Sequence, residues 1–292
     1  MPGWIQNMID AIEEWFLDTI TAFVAWNLRL THNLFTHSIN TVQTQVSETP
    51  TEFSATLVET LREISDLAIM PVAGLLLTYV FCYEIYNLVV EKNRGNDFDT
   101  GQMFYLIFKT AIIILLITNS FDITLAFFDL GKWITNRVPE ATLTLPPNIT
   151  SSIVDSIDTV GTAFGMVGLS VIILIVTFFM TGIIYLVAWT RIITILLYIS
   201  IAPLPFSTLM NRDWVGSIGQ TYLKHLLALM LQGYFMLVCL IVYAGLLEKT
   251  VVMITEQSQP IFGLLLLLVS MAILTLTLTR THTLAKSVVG VV

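Results

Sequence analysis

From Gly161 to Met210 the chain carries one charge, Arg191, between Asp158 on one side and Arg212 on the other. One bilayer crossing takes about 20 predominantly apolar residues. The stretch therefore holds a full span and something more. Trp189-Thr190-Arg191 interrupts it near its middle. Pro203 and Pro205 close it, because each lacks an amide donor and clashes with the preceding turn of a helix. Residues Ile192 to Met210 are thus expected as a separate segment, either re-entrant or a sixth crossing.

Composition extends the argument to the whole chain. Its residues are 55% hydrophobic and 12% charged, with mean hydropathy +0.82. Soluble domains carry about twice that share of charge. The expectation is an all-α polytopic membrane protein with five transmembrane helices, the extra segment, and an amphipathic N-terminal helix. Cys82 and Cys239 both fall in apolar stretches and read as buried small hydrophobes rather than a disulfide framework or a metal-ligand pair. A net charge of −8 argues against stable nucleic-acid binding, which is built from Lys and Arg. It leaves room for a polymer that passes without being held. No basic signal-peptide region precedes Arg29.

Four regions follow in order. Residues 1–66 form an amphipathic and polar helical region. Trp4, Met8, Ile12, Trp15, Ile20 and Phe23 recur at helical spacing, and Asp10, Glu13, Glu14 and Asp18 lie elsewhere. The acidic polar face is unlike the basic one of membrane-surface helices, which favours docking on the protein's own spans or on a partner. Thr49, Pro50 and Glu52 mark a capping box and a new helix from about Thr51. Residues 67–121 hold the first two spans, with Glu84 and Lys109 as intramembrane charges; a carboxylate there is a functional candidate by default, and Lys109 can snorkel. Residues 122–160 read as an extramembrane loop broken by Pro139, Pro146 and Pro147. Residues 161–292 form a C-terminal membrane bundle. In it Gly161, Gly165 and Gly168 suit close helix approach, and Arg191, Pro203 and Pro205 are hinge or packing candidates. The alternating Leu-Thr run before Arg280 is expected to be helical, its hydroxyls bonding back to the chain, because an unpaired strand in lipid leaves its backbone unsatisfied.

The positive-inside rule divides the 13 basic residues equally well for five spans with the N-terminus outside or six with it inside. Both arrangements put the C-terminus in the cytoplasm. Phosphate-binding loops, paired histidines at metal spacing and nucleophile elbows are missing from the sequence, so no enzyme and no cofactor is expected. A small-solute secondary transporter or a general membrane scaffold remains as the alternative; the transporter would call for paired broken helices, and only one break is seen.

The combination of an amphipathic N-terminal region, two spans, a central loop, a long apolar block ending in Ala202-Pro203-Leu204, then Arg212-Asp213-Trp214 and two more spans resembles the TrbL-like, VirB-type polytopic inner-membrane subunit of conjugative type IV secretion systems. The resemblance covers most of residues 65–280. It implies a homo-oligomeric channel or scaffold subunit, without catalysis of its own, that helps DNA–protein substrates cross the cytoplasmic membrane. The partners it implies are further copies of the chain, other secretion subunits including the ATPases, the lipid bilayer, and a transient single-stranded DNA–relaxase substrate.

Overall fold

The structure is a computed structural model that describes residues 3–92, 100–138, 157, 159–211, 214–256 and 260–291; no strand occurs among them. The helices are α1 (Gly3–Ser47), α2 (Pro50–Phe53), α3 (Ala55–Ile64), α4 (Met70–Lys92), α5 (Thr100–Thr118), α6 (Ser120–Thr135), α7 (Val160–Ser200), α8 (Pro203–Thr208), α9 (Trp214–Glu256) and α10 (Pro260–Val289). A π-helical turn, Ser65–Ile69, joins α3 to α4. Among the described residues five stretches have the length and apolarity to cross a membrane: Ala55–Val90, Gly101–Thr118, Val160–Ser200, Gly216–Thr250 and Phe262–Val289. Each overlaps one of the five spans expected from sequence, and the third takes in the first part of the segment expected to be separate.

Local chemistry sets the element boundaries. Thr49 caps α2 as a full capping box: its hydroxyl accepts from Glu52 N at 3.3 Å, and Glu52 Oε2 accepts from Thr49 N at 3.0 Å. Ser54 then caps α3, its Oγ accepting from Leu57 N, so the single helix expected from Thr51 is in fact two. Pro71 has no amide to give a regular helix. The backbone widens just ahead of it, and Met70 N donates to Ser65 O, five residues back. In α10 the alternating Leu-Thr run is helical, and Thr275, Thr277 and Thr279 bond back to Met271 O, Ile273 O and Leu276 O.

Two sequence expectations are corrected. The helix does not break at Trp189-Thr190-Arg191: α7 runs without interruption from Val160 to Ser200, because none of those three residues lacks a backbone donor or forces a non-helical φ. The break comes at Ile201–Ala202, where Pro203 withdraws the next amide. Residues 122–135, expected as loop, are helical. They belong to α6, which Asn119 alone separates from α5. The remainder of the expected loop, from Pro139 to Ser156, and the Arg212-Asp213 turn lie outside the described residues.

The chain divides into two compact units, each drawing on three stretches. The first comprises Met1–Thr44, Pro139–Ala188 and Met236–Arg280. Within it α1 runs parallel to the first part of α7. Phe16 meets Phe164, Asn27 Nδ2 donates to Ser170 Oγ at 3.1 Å, and Thr41 Oγ1 donates to the Tyr185 hydroxyl at 3.5 Å. Its core gathers Ile20, Val24 and Leu28 of α1 with Ala163, Met166 and Ile173 of α7 and Leu264 of α10. The face of α1 that docks is thus centred on Val24 and Leu28. Trp4, Met8, Ile12, Trp15, Phe23 and Trp26 stay exposed, so the apolar residues counted together in the sequence separate into a docked row and an outer row.

The second unit comprises Gln45–Val138, Trp189–Phe235 and Thr281–Val292. Its core collects Ala73, Leu77 and Val80 of α4, Ile113 and Ile117 of α5, Ile195 and Ile199 of α7, Phe206 of α8, and Tyr222 and Leu226 of α9. The short helix α8 packs against α4, α5 and α6 and is buried along most of its length.

Candidate functional site

The densest constellation of unusual residues surrounds α8 in the second unit. Pro203 and Pro205 occupy its first turn, where a helix has no partner for the missing amides. The same prolines deny α7 its next donors. Ala202 N turns to Ile199 O at 3.2 Å, and the Tyr222 hydroxyl donates to Tyr198 O at 2.7 Å. Tyr222 is held there by stacking on Tyr198 (5.7 Å, 20°) and edge contact with Phe206 (6.0 Å, 70°), with the Thr124 hydroxyl 3.5 Å away. Ser207 and Thr208, both buried, bond back to Leu204 O and Pro205 O.

Helix α9 can reach this corner only because it begins with glycines. A Cβ on Gly219 would sit 2.6 Å from Pro205 O, and one on Gly216 would sit 1.8 Å from Asn211 O. Further along α9, Gly233 receives Arg191: a Cβ at 233 would lie 2.7 Å from Nη2 and 3.3 Å from Cζ of the guanidinium. Arg191 is 9% exposed, and its Nε has no hydrogen-bond partner. None of the ion pairs among the described residues includes it. It is a packed, enclosed cation on a continuous helix.

Two ion pairs fasten α2 and α3 to α6. Arg62 bonds Asp122 through both carboxylate oxygens, at 2.5 and 3.3 Å, and lies 4.7 Å over the Phe121 ring. Lys132 pairs with Glu52, the same carboxylate that completes the capping box. The Arg62 hydrogen bond holds the Asp122 carboxyl below its ordinary range. The Lys132 hydrogen bond, helped by the Thr49 amide, does the same for Glu52.

The remaining residues singled out in the sequence are dispersed. Gly161, Gly165 and Gly168 are exposed, and a Cβ on any of them would meet nothing within 4 Å. Among the described residues they make no close approach; the packed face of α7 is Ala163, Met166 and Ile173. Glu84 and Lys109 are half-buried on α4 and α5. No ion pair among the described residues joins them to each other or to anything else. Both cysteines are free thiols, but Cys82 is exposed rather than buried and Cys239 is half-buried. A depression of about 470 Å³ along Leu30–Asn40 is lined by α1 alone, and among the described residues no group of His, Cys, Asp and Glu has a metal-holding arrangement. Sequence reading missed Gly216, Gly219, Gly233 and Tyr222. The only available signal was the Gly-x-x-Gly spacing directly after the proline corner.

Against known families, residues 35–203 match the model of the TrbL/VirB6 plasmid conjugal transfer like protein. The chain belongs to the TrbL/VirB6-like family. The match begins within α1, takes in α2 to α7, and ends on Pro203, the first residue of α8. The last two spans lie beyond it. No curated protein and no solved structure matches the chain. As a TrbL/VirB6-like protein with five span-capable helices, it is a multi-pass membrane protein of a conjugal transfer system.

Proposed function

We propose that this TrbL/VirB6-like protein is a membrane-embedded channel or scaffold subunit of a conjugative type IV secretion system. It helps DNA–protein substrates cross the cytoplasmic membrane and leaves the energy-driven steps to partner ATPases. The observation that carries this reading is the family match across residues 35–203 on a chain of five apolar helices. Assembly as a homo-oligomer is supported by large apolar surfaces that the described residues leave uncovered. Phe178 and Phe179 are 65% and 66% exposed, and the open Gly161, Gly165 and Gly168 face gives a neighbouring helix room to approach. A cytoplasmic C-terminus is supported by Arg280 and Lys286 at the end of the last span.

The test is an in-frame deletion in the donor with complementation from a plasmid. Transfer frequency is expected to fall to background and to recover with the wild-type gene; unchanged transfer refutes the role. For orientation, an alkaline phosphatase fusion after Val292 is expected to be inactive and a fluorescent-protein fusion bright. The opposite pattern reverses the topology.

A further inference from the structure

The first unit presents two chemically opposed surfaces at one level. Along Asn27 to Thr41, α1 lies beside Ser170 to Tyr185 of α7. Over that length α7 exposes Ile172, Ile175, Phe178, Phe179 and Ile183. In the same unit α10 exposes Leu265, Val269, Ile273 and Leu276, and α9 exposes Ile241 and Val242. Helix α1 differs. Its inner face is docked, with Asn27 and Thr31 buried. Its outer face from residue 29 onward is Arg29, Asn33, His37, Asn40 and Thr44, all exposed and spaced four, four, three and four residues apart. At 1.5 Å per residue this is a straight polar stripe about 24 Å long.

No single surrounding suits both surfaces. Lipid would strand a guanidinium, two carboxamides and an imidazole without hydrogen-bond partners. Bulk water on all sides would leave an apolar surface far larger than soluble proteins expose. Arg29 joins none of the ion pairs among the described residues, so none of their acids neutralises the stripe. The unit must lie at a boundary, with its α7, α9 and α10 faces covered by lipid or by other copies and its α1 face in water.

We infer that Arg29, Asn33, His37, Asn40 and Thr44 of α1 line the water-filled passage enclosed by copies of this chain. This rests on the channel reading above and adds the surface that faces the cargo. The stripe carries one permanent positive charge, on Arg29, and four other hydrogen-bonding side chains, a lining that wets a passage without gripping a polyanion along its length.

The test uses the full chain in a donor strain, in a background with Cys82→Ser and Cys239→Ala, bearing single Asn33→Cys, His37→Cys, Asn40→Cys or Thr44→Cys substitutions. Ile175→Cys and Leu276→Cys are the apolar-face controls. A charged, membrane-impermeant thiol reagent is applied to cells and to everted vesicles, so that either mouth is reached. All four stripe positions are expected to react and both controls to stay unlabelled. Labelling with a bulky charged reagent is expected to cut transfer at least tenfold. Thr44→Cys is nearly isosteric and keeps that readout available if another variant transfers poorly. Unreactive stripe positions would mean a dry contact between subunits, and reactive positions with undiminished transfer would mean an outer surface; either overturns the inference. A deletion strain that still transfers normally overturns the channel reading instead, whatever the labelling pattern.

Discussion

Two sets of glycines separate what spacing suggests from what packing requires. Gly161, Gly165 and Gly168 open α7 at small-residue spacing, yet added methyl groups there would meet nothing within 4 Å. Gly216 and Gly219 open α9, and methyl groups there would strike the carbonyls of Asn211 and Pro205. Both sets read alike in sequence. The difference lies in the partner: α9 follows a proline corner that turns backbone carbonyls toward it, whereas the glycine-bearing side of the first turns of α7 meets none of the described residues.

The largest expected effect tests that contrast. Gly216→Ala and Gly219→Ala each force backbone movement and should lower stability in detergent by about 3 kcal/mol, the top of the overpacking range. Gly165→Ala, on an open helix face, should instead raise stability by up to about 1 kcal/mol through helix propensity. Thermal unfolding of the purified protein reads both, and changes of the same sign would erase the distinction.

Arg191 comes next. Exchanging a buried charge for an apolar side chain of similar length is neutral to stabilising, on the order of 2 kcal/mol. Arg191→Met is therefore expected to raise the melting temperature of the isolated protein. A clear fall would show that the guanidinium makes a stabilising contact within the folded protein.

Tyr222→Phe keeps the ring stack and removes the donor to Tyr198 O. A loss of about 1 kcal/mol is expected, and an unchanged unfolding midpoint would mean that water replaces the hydroxyl at the corner.

The smallest effect belongs to the ion pair between Arg62 and Asp122, which is largely exposed and worth less than about 1 kcal/mol. Arg62 lowers the Asp122 value below its ordinary 3.8. The stabilisation is therefore complete above that value and disappears as pH falls through the lower, folded-state value. Unfolding followed from pH 6 down to pH 3 should show this slope in the wild type and a reduced slope in Asp122→Asn; identical slopes would discount the pair.

Much of the architecture was legible where a single residue type has one dominant physical consequence. The five spans follow from apolar length, the start of α2 from Thr49 and Glu52, and the end of α7 from Pro203. The helical Leu-Thr run follows from the need to satisfy backbone groups in lipid. What escaped depends on partners distant in sequence. Arg191 reads as an interruption until Gly233, on another helix, is seen to receive its guanidinium. Residues 122–135 read as loop because Asp122, Asp129 and Lys132 dilute their apolarity, yet Asp122 and Lys132 are the groups that fasten α6 to Arg62 and Glu52. Tyr222 becomes informative only once the prolines have redirected the amides at the end of α7.

The π-helical turn at Ser65–Ile69 has a further consequence for how the first span tolerates change in length. A π-turn is an α-helix that holds one residue more than its phase requires. Removing a residue within it would let α3 and α4 join as ordinary helix while each kept its present rotational setting: Arg62 still toward Asp122, and Ala73 and Leu77 still toward the core. Removal anywhere else between Ala55 and Lys92 would swing one part against the other by about 100°. Those five residues act as the slack in the chain, the one place where this span can give up a residue without losing its aim.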